Sequence, residues 1–180
     1  MPDPYLQRLF EYNTWANAGL IEFLKSVPSQ VLDDHVPGVY GSIRETLEHM
    51  FSSELAYERY LEQTPKDEAV RPELVDLEWL GALAQQSGAN LERIVDALPP
   101  AAGMMHLGDG DRAAATIVVQ LVTHSAEHRG HVGTILGTLG IRALELDSWA
   151  HGILMHGDEW PPEWGAKLDP LPVYPPPGLS

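Results

Sequence analysis

From Thr116 to Leu139 the chain is an unbroken run of helix formers, and within it stands Thr123-His124-Ser125-Ala126-Glu127-His128-Arg129-Gly130-His131. Residues four apart on a helix lie about 40° round the axis and about 6 Å along it, so His124 and His128 project from one face. That face is apolar. Ile117, Leu121, Ile135 and Leu139 all fall within about 60° of His124, which assigns both imidazoles to the stripe the helix must bury. A single histidine in such a stripe is ordinarily a core residue with a hydrogen-bond partner. Two at this spacing, with His131 on the same stripe, are hard to satisfy by packing alone. A bound cation satisfies them directly, so the pattern points to metal ligation.

A metal site on one helix needs facing helices, and the rest of the chain supplies them. Asp3 to Lys25 reads as a first helix, with Leu6, Leu9, Phe10, Ala16, Leu20 and Leu24 at helical spacing and Pro28 beyond its end. Asn13 and Asn17 fall in that stripe, where they either join buried or local hydrogen bonds or line a polar cavity as cofactor-binding residues. Pro28, Asp33-Asp34, Pro37, Gly38 and Gly41 mark a loop. Ser42-Ile43-Arg44-Glu45 then has the form of a capping box, opening a second helix that runs to about Gln63. Its apolar stripe is Ile43, Leu47, Met50, Phe51 and Leu55. His49 lies on the other side with Thr46, Ser53, Ala56 and Tyr60, a mixed face that suits either a cavity or water.

Beyond the charged stretch Thr64 to Pro72, Asp76 can cap a third helix to about Leu98. Trp79, Leu80, Leu83, Ile94 and Leu98 form its apolar face, and Pro99-Pro100 ends it. Asp109-Gly110 is a turn signal for a small hairpin between Met104 and Ala115, the alternative being an irregular loop; His106 there carries no motif. Asp147 to about Met155 reads as one more short helix. His151 and His156 are about 140° apart on it, so they do not form a ligand pair. Past Trp160 come Pro161, Pro162, Pro170, Pro172, Pro175, Pro176 and Pro177, which no helix continues through. The expected fold class is therefore all-α: a four-helix bundle with a short extra C-terminal helix over residues 1–160 and a proline-rich tail over 161–180.

Composition removes several classes of function. Only 11 Lys and Arg stand against 26 Asp and Glu, for a net charge of −15, which disfavours nucleic acid and anionic membrane surfaces as partners. There is no cysteine, hence no disulfide, thiolate ligand or protein thiol nucleophile, and any sulfur chemistry must arrive with the substrate. With no basic n-region before an apolar core, and no apolar run approaching 18 residues, a cytoplasmic protein is expected.

Spelling tests the metal motifs. The chain has neither the His-Glu-x-x-His of zinc proteases nor the Glu-x-x-His of ferritin-like di-iron bundles. His124 to His128 does spell the inverted protease motif His-x-x-Glu-His, but those enzymes are larger α/β proteins with a further acidic ligand downstream. Tyr12-Asn13-Thr14-Trp15-Ala16-Asn17, Gly41-Ser42-Ile43-Arg44-Glu45-Thr46-Leu47-Glu48-His49 and His124-Ser125-Ala126-Glu127-His128-Arg129-Gly130, in this order, resemble the DinB/YfiT-like family of four-helix-bundle metalloproteins. The likeness spans about residues 5–155.

That resemblance implies a divalent cation, zinc or nickel, held by His49, His124 and His128. Three imidazoles leave one position open, as in catalytic zinc sites. It further implies transfer of a low-molecular-weight thiol of bacillithiol or mycothiol type to a small electrophile, and pairing as a homodimer. Hydrolysis of a small molecule, or metal binding without turnover in a stress response, are the alternatives. Glu127, about 60° from His124, would accept a proton or orient a ligand as a catalytic residue, or else be a surface carboxylate. Arg129, on the far side of His128, suits a structural ion pair. Where the family often has glutamine after Arg-Gly this chain has His131, which would orient a ligand, serve as a fourth one or belong to an alternative triad.

Overall fold

A computed structural model describes residues 3–63, 76–98, 103–107, 110–142 and 144–159. Four long helices, α1 (Pro4–Lys25), α2 (Ile43–Glu62), α3 (Leu77–Asp96) and α4 (Ala114–Thr138), make the bundle, with α5 (Ser148–His156) laid against it. Side chains at the helix starts satisfy the free backbone N–H groups there. Asp3 accepts from Tyr5 N at 2.9 Å, Asp76 from Glu78 N at 2.9 Å and Asp147 from Ala150 N at 2.8 Å. Both halves of the Ser42–Glu45 capping box are made: Glu45 N donates to Ser42 Oγ and Ser42 N to Glu45 Oε2. The hairpin also forms. Strands β1 (Met104–Leu107) and β2 (Gly110–Ala113) pair antiparallel from Met104↔Ala113 to Leu107↔Gly110. Asp109, the stretch Thr64 to Pro72, Pro99-Pro100 and the proline-rich tail from Trp160 lie outside the described residues.

α1 packs chiefly on α3 and α2 chiefly on α4. The first pair approaches closely at Gly88, where a Cβ would come within 2.3 Å of Thr14 Cγ2. Among the described residues the apolar core of the bundle has two main clusters, besides a small one under α5. One joins Leu20, Leu24, Leu47, Met50, Leu80 and Ile135; the other joins Phe10, Leu61, Leu91, Ile117 and Leu121. In sequence on every long helix, buried polar residues fall between the two: Asn13 and Asn17, Glu54 and Glu58, Ser87, and His124, Ser125, His128 and Arg129. A polar layer thus crosses the bundle at mid-height, flanked by grease on both sides. Leu139, expected in the buried stripe, is 44% exposed because α4 stops at Thr138 and the helical period no longer applies. On α2, Leu55 is only half-buried, and the buried stripe runs Leu47, Met50, Glu54, Glu58 and Leu61.

Ala150 of α5 meets Trp15 and Ala16 of α1, with Tyr12, Leu146 and Leu154 packed round them. No helix among the described residues is long and apolar enough to cross a membrane.

Candidate metal centre

One turn of α4 separates His124 from His128, and both are buried, while His49 reaches them half-buried from the facing α2. The His124 and His128 ring centroids are 4.4 Å apart, and each lies 4.9 Å from that of His49. The nitrogens converge. His124 Nε2 is 3.1 Å from His49 Nε2 and 3.2 Å from His128 Nε2, and the three prospective ligand atoms all lie within 4.8 Å of one another. Imidazole nitrogens at metal–N distances of about 2.0–2.1 Å in a tetrahedral shell are about 3.3 Å apart, so this group can hold a metal ion with little movement.

Electrostatics favour the same use. Burial, then the neighbouring His49 ring, holds His124 below the ordinary histidine value. Burial first, and then His124, His49 and His131, push His128 down to about 4. Exposed Glu127 opposes the shift in both cases. Rings kept neutral are the form a cation binds, and three converging lone pairs have no mutual solution as good as a shared Lewis acid. His124 Nδ1 is buried with no hydrogen-bond partner, so Nε2 is that ring's one polar anchor. His131, half-buried, sets its Nδ1 3.3 Å from Nδ1 of His128, on the opposite ring nitrogen from the convergent Nε2.

Two tyrosines wall the site, and helical periodicity flags neither. Tyr40 stacks on His49 with centroids 4.3 Å apart and an 18° tilt, and it turns an edge to His128 at 5.2 Å. It sits in the loop before α2, where Thr46 Oγ1 donates to its carbonyl. Tyr57 meets His124 edge-on at 5.7 Å. A cavity of 350 Å³ lined by Tyr40, Gly41, Glu45, Glu48, His49 and Ser52 opens beside His49. The mixed face of α2 therefore serves both readings of His49: the ring points at its fellow imidazoles and borders a groove.

The other half of the layer is a closed network. Asn13 and Asn17 donate to Glu54 Oε2 at 3.1 and 2.8 Å and accept from Arg129 Nη1 at 3.1 and 2.5 Å. Both amides are thus placed in the hydrogen-bond network, their oxygens and nitrogens already committed. Arg129 is buried among these amides and Tyr12, to whose hydroxyl Nη2 donates at 3.2 Å, with the charge of Glu54 acting on it. Ser125 also donates to Glu54. The sequence signal for Glu54 and Glu58 was their spacing of four and eight from Met50, in register with the apolar stripe.

A model of the DinB family matches residues 1–154. This chain belongs to the DinB family. Protein DinB of Bacillus subtilis (strain 168) is 24% identical over 158 residues, covering 78% of this chain and 89% of that protein. The crystal structure of a DinB-like protein, also from Bacillus subtilis, superposes with a TM-score of 0.51 at 11% identity, covering 77% of this chain and 94% of the other. At that identity the likeness speaks for the fold. The histidines of this DinB-family chain stand on α2 and α4, two helices that pack directly on each other.

Proposed function

We propose that this protein is a metal-dependent enzyme that binds zinc or nickel through His49, His124 and His128 and transfers a low-molecular-weight thiol to a small electrophile. The observation that carries the metal reading is the convergence of three Nε2 atoms, with the two α4 rings held neutral by burial. A divalent cation held by three imidazoles keeps a position open and makes a thiol or water there ionise near neutral pH.

The chain's own residues do the rest. The three imidazoles fix where the thiol sulfur enters, on the side of the 350 Å³ cavity beside His49. Tyr40 and Tyr57 cover two flanks of the site and keep bulk water off the rings. His131, through the contact between its Nδ1 and that of His128, sets the tautomer and tilt of that ligand. Glu127, exposed at the rim and close enough for its charge to act on both α4 histidines, accepts the thiol proton and passes it to solvent. A chain without cysteine takes its sulfur from the co-substrate, which agrees with thiol transfer.

Metal analysis of protein purified without a nickel column tests the site. About one equivalent is expected in the wild type and none in His124→Ala; metal absent from the wild type, or retained in that variant, rejects it. A panel of thiols and electrophiles, with and without chelator, then tests the reaction. Chelator-sensitive loss of free thiol is the expected result, and thiol-independent ester cleavage would replace transfer with hydrolysis.

A further inference from the structure

Glu54 and Glu58 lie one turn apart on α2, 2% and 4% exposed, deep in the polar layer. Ser87 of α3 brings its Oγ to 2.5 Å from Glu54 Oε1 and into hydrogen-bond contact with Glu58 Oε1 as well. A serine hydroxyl carries one hydrogen. It donates to one of the two carboxylates, and the other holds a good hydrogen bond to that oxygen only by bringing a proton of its own.

Counting charge gives the same answer. The cation whose charge acts on the pair is Arg129, through Glu54, while Asn13, Asn17, Ser87, Asn90 and Ser125 are neutral. Two ionised carboxylates against one guanidinium leave one uncompensated negative charge in a dry interior. Proteins remove such a charge by binding a proton.

We propose that Glu54 and Glu58 hold a single proton between them across Ser87 at neutral pH, a buried proton site that ties α2 to α3 and weakens when the proton leaves. Glu58 carries it. Glu54 also accepts from Asn13, Asn17 and Ser125, contacts that favour its anion, whereas Glu58 gives its proton to Ser87 and, among the described residues, accepts from Asn90. The other charged groups around Glu58 leave this assignment in place. Glu62, on its own helix, repels its anion, and Arg93 of α3 is paired with Glu62. Arg129 of α4 is bonded to the α1 amides and Tyr12, and His106 of β1 is exposed and paired with Asp111.

Burial, the largest influence, pushes the Glu58 carboxyl up to about 7 from the ordinary 4.5. The folded chain therefore binds this proton more tightly than the unfolded one. The stability tied to it is complete below 4.5 and is lost as pH rises through about 7, by at most about tenfold in the folding constant per pH unit.

Carboxyl-carbon NMR of protein labelled with ¹³C-glutamate tests this without reference to the histidines or to metal. A glutamate carboxyl is expected to titrate near pH 7, well above the exposed glutamates, and to vanish from the spectrum of Glu58→Gln, burial raising Glu54 as well. Ser87→Ala, which removes the oxygen that accepts the Glu58 proton, should move that titration lower. In urea, Glu58→Gln should lack the fall in stability that the wild type shows as pH rises through neutrality. Wild-type glutamates all titrating below about pH 5.5 would overturn the proposal, as would a signal that persists in Glu58→Gln. Should that variant fail to fold, the wild-type and Ser87→Ala titrations decide between the same two outcomes.

Discussion

Within one buried layer, Glu54, Asn13, Asn17, Ser125 and Arg129 satisfy one another, whereas His49, His124 and His128 turn three like nitrogens toward a common point. The first group alternates donors and acceptors across three helices. The second turns ring nitrogens of the same kind toward one another, with one buried nitrogen left over at His124 Nδ1. Both groups are polar, flanked by the same apolar clusters and buried except at His49, so burial alone does not distinguish them. The matching of hydrogen-bond roles does: a closed network stabilises the fold, while an open one marks where something else binds.

The sharpest way to break this contrast is to remove one member of each half. Glu54→Leu should cost about 3–5 kcal/mol in urea unfolding, because it strands the amides of Asn13 and Asn17 and leaves the Arg129 charge uncompensated in the interior. A loss under about 1 kcal/mol would mean the network carries little of the fold's stability. His124→Leu in metal-free protein is expected to change stability by less than about 1 kcal/mol in either direction, since it removes a buried, unpaired ring nitrogen and supplies packing. Its effect appears with metal. Zinc at a hundredfold above its Kd should stabilise the wild type by about 2.7 kcal/mol and the variant not at all. A metal-free His124→Leu that is as damaged as Glu54→Leu would make the histidines as structural as the carboxylate.

Much of the bundle was legible because its signals are local: caps at Ser42 and Asp76, and apolar periodicity along the helices. His124 and His128 were legible for the same reason, being one turn apart on one helix. His49 was not, since its face on α2 is polar and only the approach of α4 gives that face a partner. Tyr40 lies in a loop with no period to read, and its place against His49 follows from Thr46 and the capping box holding the chain before α2. Glu54 and Glu58 stood in the apolar register in plain view. A charged residue at a core position reads as a break in the stripe until its partners, Ser87, Asn13 and Arg129, are seen to come from three other helices.

His151 sharpens the comparison from outside the layer. It is buried against Tyr12 and Trp15 with His156 beside it, yet no third ligand converges there among the described residues. Burial, and then the charges of His156 and Arg8, push it down to about 4. The unfolded chain binds this proton near 6.5 and the folded chain only near 4, so stability is intact above 6.5 and drains as pH falls toward 4. His151→Phe should remove about 2 kcal/mol of that acid loss, measured by urea unfolding as pH is lowered. The slope is opposite to the one expected from Glu58 over largely the same pH window, so the two contributions offset each other in the wild type and each variant uncovers the other. An acid limb unchanged in His151→Phe would show that this ring is not held neutral by its surroundings.

The smallest expected effect tests whether the open half of the layer extends into the loop. Aromatic stacking of the kind Tyr40 makes with His49 is worth about 0.5–1.5 kcal/mol. Tyr40→Ala should therefore weaken zinc binding by up to about tenfold, read by competition with a chromophoric chelator. Tyr40→Phe keeps the ring and should bind as the wild type does. A loss shared equally by both variants would assign the effect to the hydroxyl. Equal affinity in all three proteins would confine the site to α2 and α4, with the loop acting only as the wall of the cavity beside His49.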